Sequence, residues 1–275
     1  MQNKDLVIGG FTRYNWAQLK NWVVSLKDTG YTGDIILVAF ETDQFTVDKL
    51  TEAGVEVIPV NKELNYRSKV PIHVERFIMM YHHIKNRKYR YVLTTDVKDV
   101  IFQNNPFLWL EQHLGDKKIV ISSESIHYKN EPWGDNNLMQ TFGKYIYNEF
   151  SSKEIFNVGV IAGEFSYVKD LLLQLFMMSI NRPIPIVDQA TFNSLMHLEP
   201  WLSLTKRVRS EDGWACQLGT TADPAKIDAF RPFLLENEPK IKNGLVFTSK
   251  DKKFYIVHQY DRVPVLKEMI DAKYT

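Results

Sequence analysis

The chain predicts an α/β fold with a mostly parallel central sheet covered on both faces. Three observations carry that expectation. Short, continuously apolar runs alternate with helix-spaced apolar residues from Asp5 to Thr95, the signature of successive strand–helix units. The runs are apolar throughout, not alternating, as strands buried on both faces require. The last of them, Tyr91-Val-Leu-Thr-Thr95, leads straight into two carboxylates, Asp96 and Asp99. The C-terminal lip of a central strand is where open α/β sheets bind ligands.

Taken in order, Asp5 to Phe11 reads as a strand ending in the glycine pair Gly9-Gly10. Trp16, Leu19, Trp22, Val23 and Leu26 recur at helical spacing, and Gly30 is placed to end that helix. Asp34 to Phe40 is a second strand, Thr46 to Ala53 a short helix closed by Gly54, and Val55 to Val60 a third strand. Pro71 suits the first turn of a helix carrying Val74, Phe77, Ile78, Tyr81 and Ile84 on one face. That helix feeds the strand before Asp96. Further on, Lys118 to Ser123 predicts a strand, Glu124 to Asn137 a polar and aromatic loop, and Met139 to Phe150 a helix. A strand over Ile155–Ala162 and helices over Val168–Ile180 and Asp188–Met196 follow. Trp201 to Lys253 reads as loop-rich, then a strand Phe254–Val257 presents His258 at its lip, and Val263 to Asp271 forms a terminal helix. With no repeat or linker, one domain is expected, with a nucleotide-binding half over residues 1–105 and an acceptor-shaping half over 106–275.

Composition narrows the function classes. A formal charge of +1 gives no global electrostatic case for nucleic acid or an anionic membrane. Cys216 is the single cysteine, which excludes an internal disulfide and a multi-cysteine zinc site. Leu6-Val-Ile8 is too short for a signal peptide, and no apolar run approaches a membrane span. The expectation is a cytoplasmic protein without an integral membrane segment.

Several residues are suited to chemistry. Asp96 and Asp99 repel each other unless a cation is shared between them; as an alternative, both are ordinary turn or cap residues. Gly9-Gly10-Phe11-Thr12-Arg13 allows close approach of a ligand to the backbone, or makes a plain tight turn. It lacks the spacing of the dinucleotide fingerprint and the Gly-Lys-Ser/Thr of a P-loop. Phe11 or Tyr14 offers a face to a base. Arg76 suits a bidentate phosphate clamp or a surface ion pair. Asn157 and Gly159 interrupt an apolar strand, where glycine marks close approach by another group. Asp188 reads as an N-cap, or as a cleft residue for a sugar hydroxyl. His258 is either a satisfied strand histidine or a partner of the strand-end carboxylates around Mn²⁺ or Mg²⁺. The tandem His82-His83 reads as structural or solvent-facing.

Together these residues resemble the GT-A type of nucleotide-sugar glycosyltransferase. Members carry an Arg-bearing helix before an Asp-x-Asp motif, and the tail of that motif is similar to Asp99-Val-Ile-Phe-Gln-Asn-Asn-Pro-Phe107. Their downstream "Phe-Asn-x-Gly-Val" strand and "Asp-Gln" helix start match Phe156-Asn-Val-Gly-Val160 and Asp188-Gln189, and a late metal-binding histidine matches His258. Here the acidic motif is Asp96-x-x-Asp99, as in some plant, bacterial and large-virus glycosyltransferase-like proteins. Either Asp96 takes the first aspartate's role through a different turn, or Asp99 alone of the two holds metal.

The resemblance implies a GT-A fold with a small antiparallel C-terminal part. It implies Mn²⁺ or Mg²⁺ held by Asp99, His258 and Asp96, and a nucleoside diphosphate sugar donor, most often a UDP-sugar. Gly9, Gly10, Phe11, Thr12 and Arg13 would line the nucleoside, with Arg76 or Lys69 assisting at the diphosphate. Asp188, Asn157 and Glu124 would surround the transferred sugar and a glycan or glycoconjugate acceptor. Trp133 and Trp214 offer faces to sugar rings or pack in the core. Asp188, Glu124 and Asp135 are candidate bases for an inverting reaction, while Asn157 and Asp188-Gln189 resemble retaining members more. A sugar-nucleotide pyrophosphorylase and a non-catalytic nucleotide- or glycan-binding module are the alternatives.

Overall fold

The computed structural model describes residues 4–60 and 70–274. A seven-stranded sheet runs in the order β3-β2-β1-β4-β7-β6-β8. Its strands are β1 Leu6–Phe11, β2 Asp34–Ala39, β3 Glu56–Pro59, β4 Tyr91–Thr95, β6 Ile119–His127, β7 Glu154–Glu164 and β8 Thr205–Val208. β5 Val100–Phe102 belongs to a separate three-stranded sheet with β9 Ala215–Gln217 and β12 Ile256–His258, and β10 Lys240–Lys242 pairs with β11 Leu245–Phe247. Strands β3, β2, β1 and β4 are mutually parallel, as the strand–helix alternation predicts. β7 runs antiparallel to both β4 and β6, and β8 is parallel to β6.

The unbroken apolar strands are explained by two cores. Val7, Phe11, Leu37 and Leu93 face one side, with Leu19, Trp22 and Leu26 of α1 (Trp16–Asp28), Leu50 of α2 (Gln44–Glu52), and Phe107 and Trp109 of α4 (Pro106–His113). Leu6, Ile8, Ile36, Val38 and Val92 face the other side. They pack with Phe77 and Met80 of α3 (Ile72–Ile84), Leu171 and Leu175 of α6 (Phe165–Ser179), and Phe192 of α7 (Asp188–Met196). Successive residues of a strand point to opposite faces, so both must be apolar.

The second half departs from expectation in two places. Glu124 to Asn137 is not a loop: β6 continues to His127, a single 3₁₀ turn spans Tyr128–Asn130, and α5 covers Pro132–Phe150. Pro132 sits in the first turn of α5, and Glu131 caps it by accepting from Gly134 N at 2.5 Å. Proline is favourable there, and glycine at 134 leaves room for the cap, since a Cβ would lie 2.9 Å from Glu131 Oε2, although both resemble loop residues in the sequence. Gly143, at φ 75°, kinks the helix. The region Trp201–Lys253 holds strands β8 to β11, each only three or four residues long.

Trp22 ties α1 to the strand that ends at the acidic motif. Its indole is fully buried, packs edge-on against Phe102, and donates from Nε1 to Thr95 Oγ1 at 2.8 Å. Trp22→Ala would leave a large cavity and an unpaired threonine hydroxyl. It is expected to cost about 3–5 kcal/mol, read from the midpoint of urea denaturation.

Candidate functional site

The main-sheet strand β4 stops at Thr95, and the next four residues turn into β5 of the small sheet. Asp96 is pinned at the start of this turn by its N–H, which donates to Gly159 O on β7 at 2.9 Å. Asp99 lies at its end, beside Val100. In the small sheet, antiparallel pairing sets His258 opposite Val100, and parallel pairing sets His258 beside Gln217. The result is a cluster in which one ligand atom from each of Asp96, Asp99 and His258 lies within 4.8 Å of the others. His258 Nε2 is 3.5 Å from Asp96 Oδ2 and 3.6 Å from Asp99 Oδ1.

The donor set fits a divalent cation. The His258 ring is buried, yet its Nε2 atom has no hydrogen-bond partner, whereas Nδ1 is 2.7 Å from Gln217 Oε1. A buried, unpaired polar atom facing two carboxylates is the expected state of a metal ligand without its ion. The spacing Asp96-x-x-Asp99 therefore brings both aspartates to the cluster, and Asp96 is no less close than Asp99.

Arg76, on α3, is buried between two carboxylates. It contacts Asp96 Oδ1 through one guanidinium nitrogen and Asp188 Oδ2 through the other, the latter at 3.0 Å. Burial disfavours the charged form of Asp96, but Arg76 and His258 outweigh it and hold its carboxyl far below the usual carboxylate range. Asp99 has no guanidinium beside it: burial, reinforced by Asp96 and Asp261, pushes it up against the opposing pull of His258. His258 is raised, because Asp99 and Asp96 overcome the burial that disfavours imidazolium. Asp188 makes no side-chain cap at α7, whose N-cap is Val187. Its carboxylate goes to Arg76, and burial pushes its pKa up.

A second polar network adjoins the first. Glu124 Oε1 accepts from Asn157 Nδ2 at 2.8 Å and from Gln189 Nε2 at 2.7 Å. Asn157 Oδ1 accepts from Gly159 N at 2.7 Å, and Gln189 Oε1 from Val158 N at 2.9 Å. Burial raises the Glu124 carboxyl. The amides of Asn157 and Gln189 thus fix one side of this carboxyl group.

Two cavities meet over these residues. One, of about 350 Å³, is walled by Gly10, Phe11, Thr12 and Tyr14 and reaches Asp96 and Asp99. The other, of about 200 Å³, is lined by Glu124, Asn157, Asp188, Gln189 and Trp133. Arg76, Asp96, His73 and Arg262 border both. Lys98 and Arg262 bring positive charge to the first cavity and were not singled out in the sequence. Lys98 sits inside the acidic motif, so its position there was the available signal.

Some expected residues sit elsewhere. Gly9 faces Val97 and the Thr95 carbonyl, not the cavity: a Cβ there would lie 2.4 Å from Val97 Cγ1. Arg13, at φ 57°, turns outward to Glu41 at 2.6 Å with a largely exposed side chain. Trp214 is fully buried against Trp109 and offers no face to a sugar, whereas Trp133 is half exposed at the second cavity. Asp135 accepts from the Tyr147 hydroxyl at 2.9 Å and lines neither cavity. Lys69 lies outside the described residues.

No protein-family model matches the chain, and no curated protein matches it. Solved structures do. The bifunctional glycosyltransferase WbbM, in its apo structure, aligns over 100% of this chain at TM-score 0.63 and 12% identity. The chain spans 51% of WbbM, about half its length. Core-mannan synthase A of Aspergillus fumigatus, in a Mn/GDP form, aligns over 75% of this chain and 73% of its own at TM-score 0.46 and 10% identity. Glucosyl-3-phosphoglycerate synthase of Mycobacterium tuberculosis, with Mn²⁺, UDP and glucosyl-3-phosphoglycerate, aligns over 75% and 70% at TM-score 0.44 and 14% identity. The fold is that of a GT-A-type glycosyltransferase, with a central, mostly parallel sheet flanked by helices and a small second sheet. Among the described residues no helix is long and apolar enough to cross a membrane.

Gly159 supplies the sharpest test of the cluster. A Cβ at this position would lie 2.6 Å from Asp96 Oδ2, 2.6 Å from His258 Cε1 and 2.8 Å from Asn157 Oδ1. Gly159→Ala should cost about 1–3 kcal/mol through overpacking, read by urea denaturation. It should also weaken Mn²⁺ binding measured by calorimetry, because both Asp96 and His258 must shift.

Proposed function

We propose that the protein transfers a glycosyl group from a nucleoside diphosphate sugar, of the UDP-sugar type, to a hydroxyl of a glycan or glycoconjugate. The observation that carries this reading is the Asp96–Asp99–His258 cluster, with its unpaired imidazole nitrogen, at the C-terminal end of a central strand. Its likeness in fold to WbbM, a bifunctional glycosyltransferase, supports the reaction class. Asp96, Asp99 and His258 Nε2 would hold Mn²⁺ or Mg²⁺, which when bound neutralises the charge that builds on a departing diphosphate.

The chain's own residues would do the rest. Gly10 borders the cavity proposed for the nucleoside, and its lack of a Cβ lets β1 pack against α3, since a Cβ there would lie 3.1 Å from Arg76 Cβ. Phe11, Thr12 and Tyr14 complete that wall. Lys98 and Arg262 add positive charge on the diphosphate side. Arg76 orients Asp96 toward the cation and Asp188 toward the sugar, so its charge is already committed and it is no free phosphate clamp. Asn157, Gln189 and Glu124 form a fixed polar surface for sugar hydroxyls, and Trp133 offers an indole face to the acceptor.

Retention of anomeric configuration is the stereochemistry we propose. An inverting displacement needs a carboxylate base within reach of the acceptor hydroxyl. Asp135 is engaged by Tyr147, Asp188 is paired with Arg76, and Glu124 holds two amide donors. A leaving diphosphate that itself accepts the acceptor proton removes the need for a fourth group.

The test is incubation with a panel of UDP- and GDP-sugars and Mn²⁺. Slow, metal-dependent release of the nucleoside diphosphate is expected. Pyrophosphate-dependent formation of UTP would instead indicate a pyrophosphorylase, and binding without turnover a non-catalytic module. Asp99→Asn separates the site from the fold. It removes a charge that the metal-free folded protein carries at a cost, so the metal-free melting temperature should hold or rise. The melting-temperature increase produced by Mn²⁺ and UDP, which reports ligand binding to the native state, should disappear. A variant that keeps the full increase would refute the metal assignment.

A further inference from the structure

We infer that Gln217 is a positioning residue that turns His258 Nε2 toward the cation, through a relay that begins at Ser122. The inference rests on the metal reading proposed above. Gln217 ends β9, directly beside His258 in the parallel register with β12. Its Oε1 is 2.7 Å from His258 Nδ1, and its Nε2 donates to Ser122 Oγ on β6 at 2.7 Å. All three side chains are buried, Ser122 at 0%, Gln217 at 1% and His258 at 2% exposure, so no water competes for these bonds.

The chemistry is directional. In this arrangement the amide nitrogen of Gln217 is given to Ser122 Oγ and its Oε1 acceptor faces His258, which matches the tautomer with the proton on Nδ1. The lone pair then sits on Nε2, the atom that faces Asp96 and Asp99 and has no other partner. A ligating histidine is ordinarily fixed in this way by an acceptor on its far nitrogen, and losing that acceptor weakens metal binding about 10–100-fold. The backbone of Gln217 is held as well, its carbonyl accepting from Thr221 Oγ1 at 2.7 Å.

The experiment measures Mn²⁺ affinity of the full chain by the loss of the free-ion paramagnetic resonance signal, without reference to turnover. Wild type and Asp99→Asn report on the metal site itself: if wild type binds no Mn²⁺, the metal reading fails and this inference with it. Given wild-type binding, Gln217→Met, which keeps the shape and removes the acceptor, should weaken Mn²⁺ about 10–100-fold. Gln217→Glu, which retains an acceptor toward both Nδ1 and the Ser122 hydroxyl, should restore wild-type affinity. Unchanged affinity in Gln217→Met overturns the inference, as does a Gln217→Glu variant as weak as Gln217→Met, since a purely structural role is not rescued by a buried acceptor. Should Gln217→Met fail to fold, Ser122→Ala decides. It frees the amide to flip and should weaken Mn²⁺ several-fold; wild-type affinity there overturns the relay.

Discussion

The site depends on one buried guanidinium. Arg76 reaches Asp96 with one nitrogen and Asp188 with another, and so joins the end of β4 to the start of α7 across the cleft. Without it Asp96 and Asp188 would lose the buried counter-charge they share. Breaking a buried pair of this kind by removing one partner typically costs about 3–5 kcal/mol, because the remaining charge stays desolvated. Arg76 also makes the two aspartates of the motif unequal. Asp96 is held ionised by its guanidinium, whereas Asp99, with His258 but no guanidinium opposing the shift, is pushed up by burial and by its acidic neighbours. Two carboxylates with opposed environments are a common mark of sites where charge is to be handled.

The small sheet serves this geometry. β5, β12 and β9 are three residues each, too short to stabilise a sheet alone. They are buried between the larger core, through Val100, Phe102, Ala215 and Ile256, and a C-terminal cluster of Ile101, Cys216 and Val257 with the helix Pro264–Lys273. Alternation along three short strands therefore sends one set of side chains to each core. At the strand ends it leaves Asp99, His258 and Gln217 side by side. Register sets the imidazole beside Val100, and the Asp96–Asp99 turn brings both carboxylates to it.

Much of this was legible from residue order. The strand Tyr91–Thr95 and the helix Asp188–Met196 have the predicted bounds, since an apolar run stopped by aspartate and a helix after a Pro-rich bend are strong local signals. Asp99, Asp96, His258, Asp188 and Asn157 meet in space, as motif order alone suggested. What escaped depends on tertiary partners. Asp188 looks like an N-cap until Arg76 is seen to take its carboxylate. Trp214 is as aromatic as Trp133, and only packing against Trp109 removes it from the cleft. Arg13 follows a glycine pair at a ligand-binding turn, yet Glu41 draws it outward. Gln217 lies in a three-residue strand with no periodicity to mark it, and its relevance arises only when β9 lies beside β12.

Gly159 brings sequence and structure together most closely. A glycine inside an apolar strand marks an approaching group without naming it. The groups prove to be Asp96, His258 and Asn157, all within 2.8 Å of where a side chain would begin. Both polar networks, the cation cluster and the amide-held Glu124, thus share one absent methyl group as their common boundary. A strand with any other residue there could keep the sheet, because Gly159 needs no unusual backbone angle. It could not keep Asp96, His258 and Asn157 in their present places. The requirement for glycine therefore comes from the cleft, not from the fold, and ties the shape of β7 to the site it supports.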